Sequence, residues 1–278
     1  MIGSVTNGWV EVADRCFLRR YASFDVNVGV VGGAAGLLVV DSRASGAEGR
    51  TLRDDLRALS AHPVAAVVNT HWHFDHTFGN EAFAGVPIHA HESVPARLAD
   101  WGPGLRSEWA ARDDGRAAEI AATSLVPPDR LLSSVGLVDL GDRLVELLFP
   151  GRGHTDGDLV IRVPDADAVF VGDLVEESGP PGYGDDSFPL EWPATLDMVI
   201  GVLTERSAVI VGHGAVVDKE YVEDQRQLVT DVANTVHALA TSRTGIEAAL
   251  SSREWPSLPT GMIRAALVRG YAALGVDA

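Results

Sequence analysis

The chain has 278 residues, 46% of them hydrophobic, which is enough to bury a large core in one domain. Lys and Arg number 22 against 39 for Asp and Glu, and the formal charge of −17 opposes binding to a nucleic-acid backbone or an anionic membrane surface. Cys16 is the only cysteine, which excludes an intramolecular disulfide and a thiolate cluster for metal.

The sequence shows no pattern typical of secretion or of a membrane span. Met1 to Glu11 lacks the basic stretch and apolar run of a secretory signal peptide. The longest apolar runs, such as Val28 to Val40, are shorter than the roughly 20 residues of a spanning helix and contain glycines. We therefore expect a cytoplasmic protein.

The first 70 residues predict strands followed by a strand-helix-strand unit. Apolar and polar residues from Gly46 to Ala61 have helical spacing, and a buried strand follows Pro63. This order predicts a right-handed crossover and a parallel strand pair. The preceding runs, rich in β-forming residues and separated by turn residues, are Trp9 to Val12, Cys16 to Arg20, Val26 to Val31 and Gly36 to Val40.

The second half of the sequence again has short runs rich in β-forming residues, and it ends in segments with helical spacing. A helix from Ala194 to Thr204 leads into a strand from Ala208 to Val211, and the segments Lys219 to Ser242 and Gly245 to Leu274 are helix-rich. We predict sheets flanked by helices in residues 1–218, with residues 219–278 as a helical extension packed on them. The β-rich runs are Val135 to Leu140, Leu144 to Phe149, Leu159 to Val163 and Ala168 to Val171.

The segment His71-Trp72-His73-Phe74-Asp75-His76 carries four potential metal ligands within six residues. In an extended segment, residues two apart face the same way, so His71 and His73 can point at one ion. A turn at Asp75 and His76 can direct the next pair to another ion. Imidazole and carboxylate suit zinc, and also iron or manganese.

Three further candidate ligands each follow a β-rich run and a glycine. They are His154 after Gly153, Asp173 after Gly172 and His213 after Gly212. Sites in open α/β sheets form beyond the carboxyl ends of strands, so these loops can converge on one edge. Two divalent ions carry four positive charges, and Asp75, Asp173 and one hydroxide would remove three, which suits an anionic transition state.

These motifs, in this order, resemble the metal-ligand signature of the metallo-β-lactamase superfamily. The context also resembles the family over roughly residues 8 to 220: Gly36-Leu-Leu-Val-Val-Asp41, Gly153-His154-Thr155 and Gly212-His213-Gly214. The resemblance implies a mixed α/β fold, a four-layer αββα sandwich with the metals at one edge.

The resemblance also implies a ligand assignment. A first metal would bind His71, His73 and His154, and a second would bind Asp75, His76 and His213, with Asp173 bridging both. A hydroxide between two zinc ions would attack a carbonyl, Asp75 would orient its proton, and Asp41 would accept a hydrogen bond from a ligand imidazole. The set is similar to that of glyoxalase II and differs from secreted β-lactamases that have cysteine where Asp173 stands.

Some residues keep a second interpretation. Asp41 could also simply cap a turn after its strand. His89 and His91 are more easily explained as part of a strand-to-helix junction than as a metal pair. Tyr183, Phe188 and Trp192, in the proline- and glycine-rich stretch from Gly179 to Pro193, could face the substrate as a lid or pin that loop to the core.

The predicted function is hydrolysis of a small carbonyl substrate, which would be a thioester, lactone, ester or β-lactam. The alternative is a sulfur-oxidising enzyme with one iron, of the persulfide dioxygenase type, which the complete two-metal ligand set disfavours. We expect a small-molecule substrate, no nucleic-acid partner and no membrane partner. The sequence does not indicate an oligomeric state.

Overall fold

The computed structural model of the chain describes residues 5–251, 255 and 258–276. The ends of the predicted segments 1–218 and 219–278 therefore lie outside the described residues. Every strand predicted above is present, most within a residue or two of its predicted bounds. The helix predicted from Ala194 begins earlier, at Trp192, because Pro193 occupies the first turn, where a missing backbone N–H costs no hydrogen bond.

The first sheet has eight strands in the order of the chain. Strands β1 to β5 pair antiparallel and β5 to β8 pair parallel. The strands are β1 (Val5–Thr6), β2 (Trp9–Ala13), β3 (Cys16–Tyr21), β4 (Val26–Gly33), β5 (Gly36–Val40), β6 (Val64–Val68), β7 (Ile88–His91) and β8 (Arg130–Leu132).

The second sheet has five strands in the reverse order of the chain, from β13 to β9. Only the β12 and β13 pair is parallel. The strands are β9 (Val135–Asp139), β10 (Leu144–Leu148), β11 (Val160–Val163), β12 (Ala168–Gly172) and β13 (Ala208–Val211).

Helices cover the outer faces of both sheets. A 3-10 helix, Phe78–Phe83, follows α2 and packs against α1. The helices are α1 (Gly46–Leu59), α2 (Phe74–Thr77), α3 (Val94–Ala110), α4 (Ala117–Ala121), α5 (Trp192–Val202), α6 (Lys219–Thr241), α7 (Ile246–Ser251) and α8 (Thr260–Ala273). Among the described residues, no helix is both long and apolar enough to cross a membrane.

Alternation along the strands builds the layers. On β5, Leu38 and Val40 enter the core between the sheets, whereas Leu37 and Val39 join Leu52 of α1 in a core on the outer face. The sheets approach closely where a Cβ on Gly29 would lie 2.2 Å from the Phe170 ring, so only glycine fits there. The result is a four-layer α/β sandwich, as predicted.

The C-terminal helices share a core with the second sheet. The buried side chains Val229 and Val236 of α6 and Leu267 of α8 lie in one cluster with Val209 and Val211 of β13. Helix α6 therefore covers the face of the sheet whose strands β12 and β13 lead into Asp173 and His213.

Candidate metal centre

The seven predicted ligands come together at one edge of the two sheets, in two groups. Potential ligand atoms of His71, His73, His154 and Asp173 lie within 4.8 Å of one another, and so do those of Asp75, His76 and His213. The segment from His71 to His76 follows β6, while Asp173 and His213 follow the neighbouring parallel strands β12 and β13.

Asp173 lies between the two groups. Its Oδ2 is 3.6 Å from His71 Nε2, 3.5 Å from His154 Nε2 and 3.3 Å from His213 Nε2, and its Oδ1 is 3.3 Å from His76 Nε2. Asp75 Oδ2 lies 3.6 Å from His76 Nε2 and 3.5 Å from His213 Nε2. Asp173 is the residue that can contribute an oxygen to both groups.

Asp41 holds the imidazoles of two candidate ligands from behind. His76 Nδ1 donates to Asp41 Oδ2 at 2.8 Å. The Thr70 hydroxyl donates to the same Oδ2 at 2.9 Å and accepts from His71 Nδ1 at 3.0 Å. Asp41 is 2% exposed and has a φ of 67°, so it is buried in a strained left-handed conformation at the end of β5.

The remaining three candidate ligand histidines, His73, His154 and His213, each donate one ring N–H to an oxygen that is not itself a candidate ligand atom. His73 Nε2 donates to Asp186 Oδ2 at 3.1 Å, His154 Nδ1 to the Gly182 carbonyl at 2.9 Å, and His213 Nδ1 to the Phe24 carbonyl at 3.1 Å. These partners accept only, so each fixes a proton on the outer nitrogen, and the inner nitrogen is the one that can bind metal when it carries no proton.

The inner nitrogens fit a cation. His73 Nδ1 and His154 Nε2 face each other at 2.9 Å, and two lone pairs at that separation need a cation or a shared proton. His71 Nε2 and Asp173 Oδ1 are buried without a hydrogen-bond partner among the described residues. A metal ion at this position would supply the missing partner of both atoms.

Electrostatics of the second group also favour positive charge. Burial alone would lower the pKa of His213, but the carboxylates of Asp173 and Asp75 outweigh it and raise the pKa to about 10. The same carboxylates raise the pKa of His76 well above its usual value despite burial. In the first group burial lowers the pKa of His154 to about 4 and that of His71 well below its usual value, whereas Asp186 and the nearby carboxylates raise the pKa of His73 despite burial.

Glycines before the ligands permit the close approach. A Cβ on Gly212 would lie 1.8 Å from Asp173 Oδ1, so no other residue fits beside that carboxylate. Gly172 has a φ of 53°, in the left-handed region that glycine adopts without strain.

The aromatic residues of the Gly179 to Pro193 stretch do not form a common lid. Tyr183 and Trp192 are 4% and 0% exposed and lie in the core with α6, which favours the packing interpretation for both. Trp192 also meets the edge of the His154 ring, with ring centroids 5.9 Å apart. Phe188 lines a surface cavity of about 360 Å³ beneath the guanidinium groups of Arg152 and Arg269.

Sequence reasoning missed three carboxyl groups near the site. Asp186 joins His73 to the indole N–H of Trp72, which donates to it at 2.7 Å. Asp158 accepts from the Thr155 backbone N–H and hydroxyl and shapes the loop that carries His154. Glu176 can form a group with Asp173 and His213. Asp158 could have been found from the sequence, because it closely follows the Gly153-His154-Thr155 motif. Asp186 could not, because it lies in an irregular loop without a recognisable motif.

His89 and His91 belong to none of the candidate metal groups among the described residues. His91 lies at the end of β7, is buried and stacks on Phe149 with ring centroids 4.1 Å apart. Its Nδ1 is 2.9 Å from the Ser93 hydroxyl, just before α3. The junction interpretation describes this pair.

Two proteins of similar sequence are named as a β-lactamase and a thioesterase. A β-lactamase of Bacillus cereus, "Metallo-beta-lactamase type 2", is 25% identical over 192 residues, which is 68% of this chain and 67% of that protein. The "Acyl-coenzyme A thioesterase MBLAC2" of Gallus gallus is 31% identical over 163 residues, 54% of this chain and 57% of that protein.

Solved structures show the same fold at lower identity. A metallo-beta-lactamase from Pontibacter korlensis superposes with a TM-score of 0.62 at 19% identity, covering 83% of this chain and 99% of that one. The sec-alkylsulfatase Pisa1 from Pseudomonas sp. superposes with a TM-score of 0.73 at 17% identity, covering 94% of this chain and 50% of that one.

The family model described as "Metallo-beta-lactamase superfamily" matches residues 23–214, which is more than half of the chain and includes all seven candidate ligands. The chain therefore belongs to the metallo-β-lactamase superfamily and is a hydrolase with a His and Asp cluster able to bind metal.

Proposed function

We propose that the protein is a dinuclear zinc hydrolase that cleaves a small carbonyl substrate, namely a thioester, lactone, ester or β-lactam. The observation that carries the proposal is the set of inward-facing imidazole nitrogens on both sides of Asp173, each imidazole held from behind by an oxygen. A single ion would leave several of these donors without a partner.

The residues divide between two ions. His71, His73 and His154 would hold the first, Asp75, His76 and His213 the second, and Asp173 would reach both. When bound, divalent ions supply Lewis acidity, which polarises a carbonyl and lowers the pKa of water. Iron or manganese fits the same donor types, so metal analysis must decide between them.

Asp75 is the proposed catalytic residue. One of its oxygens, Oδ2, faces His76 and His213. We assign Asp75 Oδ1 to accept the proton of the attacking water, which would fix the direction of attack. Asp41, Asp186 and the Gly182 carbonyl hold the imidazoles in the tautomer that leaves the inner nitrogens free for metal.

The substrate class rests on the relatives and on the donor set. Both a β-lactamase and an acyl-coenzyme A thioesterase are among the relatives, and each name describes a carbonyl substrate with a leaving group. Asp173 stands where the resemblance places cysteine in secreted β-lactamases, so thioesters, esters and lactones have priority over lactams in the assay.

The test combines elemental analysis of the purified protein with hydrolysis assays on a thioester, a lactone and a lactam, before and after chelation. We expect close to two zinc ions per chain and turnover that chelation abolishes and added zinc restores. One iron per chain without hydrolysis would favour the sulfur-oxidising alternative. A protein that takes up no metal would overturn the proposal.

We also propose a cytoplasmic location and a small-molecule substrate rather than a nucleic acid. The charge of −17 opposes binding to a nucleic-acid backbone, and the single, buried Cys16 is consistent with a reducing compartment. Cell fractionation with an antibody against the protein would test the location.

A further inference from the structure

The carboxyl group of Glu176 lies at the second metal group, although the ligand signature does not include it. One of its oxygens is within 4.8 Å of ligand atoms of Asp173 and His213. Glu176 is only 9% exposed, in the loop that follows β12. It therefore adds a third carboxylate to a region that already holds Asp75 and Asp173.

Helix α6 holds the backbone around Glu176 in place. The side-chain amide of Gln225 accepts from the Glu176 N–H at 2.9 Å and donates to the Leu174 carbonyl at 2.8 Å. The Tyr221 hydroxyl donates to the Glu176 carbonyl at 2.8 Å. With three backbone groups fixed, the Glu176 side chain is left to extend toward Asp173 and His213.

The Glu176 carboxyl lacks the compensation that a buried acid usually has. Its oxygens have no hydrogen-bond partner and no ion pair among the described residues, whereas neighbouring Glu177 accepts from the Ala215 N–H at 2.7 Å. A divalent cation at this position would supply the missing partner.

We propose that Glu176 is an additional ligand of the second metal position, where it would join Asp173 and His213. This inference rests on the dinuclear site proposed above. A further carboxylate makes the second position richer in oxygen than the first, where three imidazoles dominate. The second position should then accept a harder ion such as Mn²⁺ more readily than the first does.

The test compares Glu176→Gln with Glu223→Gln, a matched change of an exposed glutamate on α6. Affinities of the first and second ion, Zn²⁺ or Mn²⁺, are measured by competition with a chromophoric chelator. We expect Glu176→Gln to weaken binding of the second ion at least about tenfold and to leave the first within about twofold. Glu223→Gln should match the unmodified protein.

A spectroscopic readout is independent of turnover. Co²⁺ replaces zinc, and its visible absorption reports the number and type of ligands. We expect Glu176→Gln to change the absorption of the second Co²⁺ only. If Glu176→Gln does not fold, Glu176→Asp, which keeps a carboxylate with a shorter reach, is measured in the same way and should shift the same band.

The outcomes separate the two proposals. Unchanged affinity and an unchanged Co²⁺ spectrum in the Glu176 variant, with two ions bound to the unmodified protein, would overturn the role of Glu176 alone. An unmodified protein that binds one ion at most would overturn the dinuclear site and this inference with it.

Discussion

At the scale of single residues, the site is defined by which nitrogen of each histidine carries the proton. Every candidate ligand imidazole donates to an oxygen behind it, supplied by Thr70, Asp186, Asp41, or the carbonyl of Gly182 or Phe24. These contacts orient the rings before metal binds, so less orientational freedom is lost on binding.

Asp186 supplies the first prediction. Asp186→Ala removes the acceptor that holds His73, and we expect affinity for the first ion to fall about 10- to 100-fold. Chelator competition measures this loss. Asp185→Ala, a change at the exposed neighbouring position, should leave the affinity unchanged. Equal effects of both substitutions would show that the loop, and not the His73 contact, matters.

Metal affinity should depend on pH, most steeply at the second group. Metal needs deprotonated imidazole, and the raised pKa values of His76 and His213 mean that protons occupy these rings at neutral pH. Binding then releases protons, so affinity rises with pH and falls by about tenfold per pH unit for each proton displaced.

The first group should resist acid better, because burial lowers the pKa of His154 to about 4 and that of His71 well below its usual value, so His73 is the one imidazole of this group with a raised pKa. Titration of metal content between pH 9 and pH 5 measures both groups. We expect the second ion to be lost at a higher pH than the first. Simultaneous loss of both ions would contradict this order.

At the scale of elements, α6 is part of the site and not only a cover for the sheet. Gln225 satisfies one backbone donor and one backbone acceptor in the loop after Asp173, and it is 6% exposed. The helix thus supplies hydrogen bonds to the first part of this loop, and the later part bonds to the backbone of His213.

Gln225→Leu should therefore destabilise the metal-free protein. It leaves the Glu176 N–H buried and unpaired, at a cost of about 1–3 kcal/mol in the free energy of unfolding, whereas the Leu174 carbonyl still accepts from the Trp192 indole N–H at 3.2 Å. Urea denaturation measures this. The control is Gln227→Leu. The Gln227 side chain donates to Asp231 on the exposed face of the same helix, so this substitution should change the free energy of unfolding by less than about 0.5 kcal/mol. Similar losses in both variants would refute the role of Gln225.

The sequence predicts the elements well for a physical reason. Strands such as β5 and β13 are short apolar runs between turn residues, so their pattern alone marks them. The seven ligand candidates were also recognisable, because motif spacing reflects local geometry.

Contacts between distant segments were not predictable in this way. Asp186 and His73 are 113 positions apart in the sequence, and Gln225 and Glu176 are 49 apart. Contacts over such separations produce no periodic pattern of residue types. For Tyr183 and Trp192 the sequence left a substrate-facing lid and packing on the core equally open, and only the tertiary contacts, which bury both in the core that contains α6, favour packing.

At the scale of the whole molecule, the second sheet and the C-terminal helices share one core. Val222, Val229, Val232 and Val236 of α6 are all fully buried in the cluster that contains β13. At about 1.5 kcal/mol each, their burial contributes about 6 kcal/mol, a large part of the 5–15 kcal/mol that stabilises a typical protein.

Removal of residues 219–278 should consequently unfold the remainder. We expect the 1–218 fragment to lack a cooperative thermal transition by circular dichroism and to bind a dye that reports exposed apolar surface. A fragment with a sharp transition and bound metal would show that the extension is dispensable for folding.

The distribution of ligands along the chain also sets the order in which the site is completed during synthesis. His76 and His213 are 137 positions apart. At about 5–20 residues per second, the ribosome needs about 7–27 s to proceed from one to the other. For that interval the nascent chain presents His71, His73, Asp75 and His76 without the partners that complete their coordination. Metal captured then would be held by an incomplete set, so correct loading must wait for the last strand or be corrected by exchange once it has folded.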